Sequence, residues 1–182
     1  MDSPETAAAY HEAGHAVAIV LAFRDAPWLP HRAPSLPVRF VEITDDGGGN
    51  CAGMSVYSMQ WSPFDVIKPR YRDLMERQVC IHLSGGISEA ILCGVRGGRE
   101  ALRFAESSMG VDLTKAEEVL RDIFRLTGYR VGPQHYADRT LAMLEEHWPA
   151  IEALAEALIE DRRIEGRLVE RIIDRSMIGS AS

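Results

Sequence analysis

Two histidines and a glutamate are the residues of this chain best spaced for chemistry. The segment Tyr10-His11-Glu12-Ala13-Gly14-His15 contains H-E-x-x-H. On a helix, side chains four positions apart emerge from one face with Cβ atoms roughly 5 to 6 Å apart, so His11 and His15 can hold one zinc ion between them. Such a site needs a third protein ligand and keeps one position for water. Glu12, beside the first imidazole, is placed to take a proton from that water without ligating the metal. With 6 His in 182 residues, chance produces this pattern in about one or two chains per hundred, so the motif is specific before its helical context is considered.

The motif must sit on a helix for this geometry to hold, and the local sequence provides one. Asp2 or Ser3 can cap a helix that has Pro4 in its first turn and Glu5 near its positive end, running to about Phe23. Pro27, Pro30, Pro34 and Pro37 then define an irregular connector. The run Val38 to Thr44 alternates with the period of a strand, Asp45 to Asn50 is a Gly-rich turn, and Ala52 to Met59 can pair back. A second helix, with Ser62 or Asp65 as candidate starts and Pro69 as an obstacle, is safest over Arg70 to Cys93. Its Gly85-Gly86 pair lowers helix propensity and implies close packing against another backbone. A short helix is expected over Arg99 to Ser107, and a strong one over Val111 to Leu126, stopped by Gly128. Leu141, Leu144, Trp148, Ile151, Ala155 and Leu158 form one apolar helical stripe that Pro149 should kink or divide. A final short helix is expected over Glu165 to Ile173. The fold class is mainly α with a small β-hairpin or sheet, in a single domain spanning 1–182.

Composition removes several function classes. A net charge of -7, with no local Lys/Arg cluster, gives no footprint for nucleic acid. The apolar run Ala13 to Phe23 is shorter than the roughly 20 residues a bilayer requires, so no membrane span is expected. The N-terminus is acidic where a secretory signal would be basic, and a cytoplasmic location is the expectation. Cys51, Cys80 and Cys93 lack C-x-x-C spacing and read as reduced thiols, with Cys80 and Cys93 as small core residues and Cys51 near the hairpin.

Four ordered blocks carry a family resemblance. TAAAYHEAGHAVAIVLA resembles the first active-site helix of the FtsH family of zinc proteases, and LSGGISEAILCG (Leu83 to Gly94) resembles that family's Gly-containing, Glu-bearing helix end. VDLTKAEEVLRDI (Val111 to Ile123) resembles the helix that begins with the third zinc ligand, and ALAEALIEDRRIEG (Ala153 to Gly166) its C-terminal helix and turn. The resemblance implies a helical zincin fold of the FtsH peptidase-domain type, with His11, His15 and Asp112 as Zn2+ ligands and Glu12 as the catalytic glutamate. An aspartate in the first turn of a helix can ligate zinc while facing the positive helix end. Glu89 is the competitor, as a ligand or as a partner of a ligand histidine. His82 is a weaker ligand candidate, and His31, His135 and His147 have no metal spacing.

No G-x-x-x-x-G-K-[ST] phosphate loop occurs in the chain, so the expectation is a peptidase domain without the family's ATPase domain. The spacing from Gly94 to Asp112 is longer than in the family and that from Gly128 to Tyr136 shorter, which alters the loops at the rim of the site. The function expected is a zinc-dependent endopeptidase, a metallopeptidase acting on unfolded proteins or flexible peptides. The alternatives are a non-catalytic zinc-binding adaptor, or a peptidase subunit working with a separate ATPase. A homo-oligomer is compatible with either.

Overall fold

The computed structural model describes residues 3–24, 36–55, 69–106 and 110–179. Along the chain these form α1 (Pro4–Phe23), β1 (Val38–Ile43), β2 (Gly49–Gly53), α2 (Pro69–Leu92), α3 (Gly98–Glu106) and α4 (Gly110–Thr127). Then follow α5 (Gln134–Glu146), α6 (Trp148–Asp161), β3 (Arg163–Glu165) and α7 (Gly166–Gly179). The architecture is mainly helical with a small antiparallel sheet of order β2-β1-β3. Among the described residues no helix is long and apolar enough to cross a membrane.

Helix α1 starts where Ser3 caps it. The Thr6 backbone N–H donates to Ser3 Oγ at 3.2 Å, and Pro4 occupies the first turn, where its missing N–H has no helical partner to lose. From Ala13 to Phe23 only Leu21 is not fully buried, so α1 runs through the middle of the molecule instead of lying on its surface. Helix α2 and helix α6 pack on it, as do β1 and β2; α3, α4 and α5 gather around α2, and α7 packs on α6. The buried apolar side chains form one cluster.

The hairpin is tighter than the sequence suggests. The turn covers Thr44 to Gly48 instead of extending to Asn50: Thr44 N–H donates to Gly48 O at 2.8 Å, and Asp46 Oδ1 accepts from Gly48 N–H at 3.3 Å. Gly47 takes the positive φ of 82° that reverses the chain. Strand β2 therefore begins at Gly49, opposite Ile43. An irregularity in register between Val38 and Phe40 offsets the strict alternation of β1, so that Val38, Val41 and Ile43 are all buried. Strand β3 was not expected. It follows Arg162, whose left-handed φ of 62° ends α6, and it pairs Ile164 with Val41. The Arg162 guanidinium contacts Glu5 and Asp45, tying the start of α1 to the hairpin turn.

Pro149 divides the apolar stripe into two helices, α5 and α6, which meet at His147. The final helix is longer than expected, reaching Gly179. Cys80 is buried as expected, but Cys93 is exposed. Helix α2 stops at Leu92, just before Cys93, and Gly94 takes a left-handed φ of 82°. Pro27, Pro30, Pro34 and His31, residues 56–59, Ser62, Asp65 and Ser107 lie outside the described residues.

Candidate metal centre

Two helices bring the expected ligands together. His11 and His15 project from one face of α1, and Asp112 projects from the first turn of α4, whose apolar residues Ala116, Val119, Leu120 and Ile123 seat it in the core. His11 Nε2, His15 Nε2 and Asp112 Oδ2 converge. The two nitrogens are 3.1 Å apart, and each is 3.2 Å from the carboxylate oxygen. A zinc ion with bonds of about 2.0 to 2.1 Å to three corners of a tetrahedron needs donor separations of about 3.3 Å. The triangle in this structure is close to that size.

The far nitrogens of the two rings show which lone pairs face inward. His11 Nδ1 lies 2.5 Å from Glu89 Oε1, and His15 Nδ1 lies 2.7 Å from Ile81 O. A carboxylate and a carbonyl only accept, so Nδ1–H donates in both rings. Ser84 Oγ also donates to Ile81 O at 2.7 Å. In neutral imidazoles the Nε2 lone pairs then point at each other and at the Asp112 carboxylate. Three such atoms at this distance share a positive charge, which a proton on one imidazole supplies in the metal-free protein and a metal ion can replace; two imidazoles and a carboxylate are a donor set that suits zinc.

Charge at the site points the same way. Burial works against a charged His11, but the hydrogen bonds to Asp112 and Glu89 outweigh it, and its pKa is pushed up to about 10. Burial likewise opposes ionisation of Asp112, yet His11 and His15 hold its carboxyl well below the usual carboxylate range. The surroundings of these groups stabilise positive charge at their meeting point. Lys115 Nζ, 3.3 Å from Asp112 Oδ1, engages the oxygen that faces away from the imidazoles.

Glu12 is not one of the converging donors. It is buried, with 7% of its surface exposed, and lines the same cleft as the three ligands. Burial raises its pKa, an effect that His15 and His11 partly offset. Strand β2 approaches it so closely that a Cβ on Gly49 would stand 2.8 Å from Glu12 Oε1. The cleft, about 690 Å³ in volume, opens along β2 and is also lined by Ile19, Met54, Ile81 and His82. Strand β2 has β1 on one side and no strand on the other among the described residues.

The structure separates the two carboxylates that the sequence leaves in competition. Asp112 meets the inward nitrogens and Glu89 the outward one, so Glu89 orients His11 instead of joining the donor triangle. His82 lies outside the triangle as well. Its side chain is held neutral, burial pushing its pKa down to about 4. Sequence reasoning missed Ile81, whose contribution is a backbone carbonyl and leaves no mark in residue type.

The expected backbone approach at the Gly85-Gly86 pair takes another form at Gly85. A Cβ on Gly85 would lie 2.5 Å from His11 Nε2 and 2.6 Å from His15 Nε2, so its missing side chain makes room for the imidazoles. The close backbone approach is at Gly14, where a Cβ would be 2.8 Å from Ser84 O. Gly85→Ala is expected to leave the helix content intact, destabilise the fold by about 1 to 3 kcal/mol through overpacking, and weaken zinc binding by at least about tenfold as the rings are displaced. Thermal melting and competition with a chromogenic chelator measure the two effects. Unchanged zinc affinity would show that the rings do not depend on this space.

No protein-family model matches the chain, and no curated protein matches it significantly.

Proposed function

We propose that the chain is a zinc-dependent endopeptidase of the FtsH peptidase type, hydrolysing unfolded proteins or flexible peptides. The observation that carries this reading is the convergence of His11, His15 and Asp112 beside the buried carboxylate of Glu12 in one open cleft. A structural zinc site is closed by four protein donors and has no use for a base; three donors with an adjacent carboxylate suit hydrolysis.

His11, His15 and Asp112 would hold the zinc, which when bound supplies a Lewis acid able to polarise a carbonyl and acidify a water. Glu12 has two tasks in succession. It accepts a proton from the attacking water as the water oxygen bonds to the carbonyl carbon, then gives that proton to the amine nitrogen as the C–N bond breaks. Burial raises its affinity for the proton, the direction required of a base working near neutral pH. Glu89 and Ile81 O keep both rings in the tautomer that directs Nε2 inward. An extended peptide can add to the outer edge of β2 by main-chain hydrogen bonds, which favours substrates without stable structure of their own.

Elemental analysis of protein purified without chelators is expected to find about one zinc per chain, and casein is expected to be cleaved without ATP in a chelator-sensitive manner. Protein that holds no metal and refuses added zinc, or that carries iron instead, would remove the basis of the proposal. Zinc binding with no cleavage of any flexible substrate would favour the adaptor. Cleavage that appears only with an added ATPase and ATP would identify a subunit fed in trans.

A further inference from the structure

Helix α2 presents Gln78, His82, Gly85 and Glu89 at spacings of four, three and four, a single stripe of the helix that Ile81 borders. Ile81, Gly85 and Glu89 already serve the candidate metal centre: Ile81 O receives His15 Nδ1–H, Gly85 gives the rings their space, and Glu89 receives His11 Nδ1–H. His82 lines the same cleft as His11, Glu12, His15 and Asp112 and takes no part in the proton transfers proposed for Glu12.

One nitrogen of its ring is engaged. The Gln78 side-chain amide nitrogen is 3.1 Å from His82 Nε2 and donates to it, so Nε2 accepts and the ring proton resides on Nδ1. Among the described residues Nδ1 has no hydrogen-bond partner. Burial keeps the ring neutral, so it can donate a hydrogen bond without placing a second positive charge beside a divalent cation. Gln78 is itself buried, with 2% of its surface exposed, and fixes the ring from behind.

We propose that His82 is a catalytic residue, its Nδ1–H donating to the oxygen of the scissile carbonyl as negative charge develops there. This rests on the peptidase reading of the cleft. A fixed neutral donor aimed at a developing oxyanion is bound more strongly by the transition state than by the ground state, so it acts on kcat more than on KM. Loss of one such donor costs about 100-fold or more in kcat.

The test uses the whole zinc-loaded protein and three variants. His82→Phe keeps a planar ring without a donor, His82→Asn restores an N–H near the position of Nδ1, and His82→Gln extends its amide toward the position of Nε2. The probe is a phosphinic pseudopeptide, whose tetrahedral anionic centre imitates the charge of the transition state. Zinc affinity is expected to be equal in all four proteins. Affinity for the probe and kcat on casein should both fall about 100-fold in His82→Phe, with KM little changed, and should recover in His82→Asn more than in His82→Gln. If His82→Phe does not fold, the contrast between Asn and Gln carries the test.

Equal affinity for the probe in wild type and His82→Phe, or in Asn and Gln variants, overturns the proposal while leaving the peptidase reading in place. A parallel loss of zinc affinity also overturns it, because His82 would then belong to the metal shell. A zinc-loaded wild type that neither binds the probe nor cleaves casein overturns the peptidase reading, and the role of His82 with it.

Discussion

Glu12→Gln is expected to retain its zinc and lose peptide hydrolysis by about 10²- to 10⁴-fold. The amide keeps the length and shape of the carboxylate, which matters because β2 leaves so little space around Oε1. What it removes is the ability to accept a proton. Stability should not suffer: the wild-type carboxylate is buried and its ionisation is opposed by that burial, whereas the neutral amide carries no such penalty. A melting temperature equal to or above that of wild type, an unchanged zinc content and a collapsed kcat on casein together define the expected result. Since Glu12 lies outside the donor triangle, loss of zinc in this variant would contradict the division of roles between Glu12 and the three ligands. Undiminished cleavage would show that another group takes the proton.

Asp112→Ala is expected to have the largest effect on metal binding. It removes one of three converging donors and leaves two imidazoles 3.1 Å apart with no carboxylate to balance a cation. The loss in zinc affinity should exceed the roughly 10- to 100-fold expected when a partner of a ligand is removed. Glu89→Ala supplies that comparison, since Glu89 touches His11 only at Nδ1. The apolar face of α4 is untouched in Asp112→Ala, so circular dichroism should show the helices intact. Titration against a competing chelator orders the three proteins: wild type tightest, Glu89→Ala intermediate, Asp112→Ala weakest. Equal affinity in wild type and Asp112→Ala would move the third ligand elsewhere, and a weaker Glu89→Ala than Asp112→Ala would exchange the two assignments.

The parts of this molecule that short-range physics governs are legible along the chain. Ser3 and Pro4 start a helix because capping and a fixed φ act within one turn. His11 and His15 share a face because helical geometry leaves no choice once the segment is a helix. Gly128, with φ 70°, ends α4, and Pro149 divides the last apolar stripe, both for reasons contained in their own backbones. The alternation of Val38 to Ile43 identifies a strand in the same way.

Choices that depend on distant neighbours are not legible from local pattern. Asp112 and Glu89 are both carboxylates on helices, and the residues themselves leave the assignment between them open; the packing of α1, α2 and α4 puts one on Nε2 and the other on Nδ1 of the same ring. Strand β3 is three residues long and exists because Ile164 meets Val41, 123 positions away in sequence. Cys93 resembles Cys80 in its local pattern, yet the end of α2 places it in solvent. Gly85 looks like a defect in helix propensity until the two imidazoles are seen to occupy the room its side chain would take. The sequence by itself therefore determined two histidines on one face, a neighbouring glutamate and the helix that carries them, because turn-by-turn geometry fixes their spacing. Which carboxylate meets the inward nitrogens of those histidines, what orients their rings and where the cleft opens were decided only by tertiary structure, because those contacts join segments that local backbone preferences leave independent.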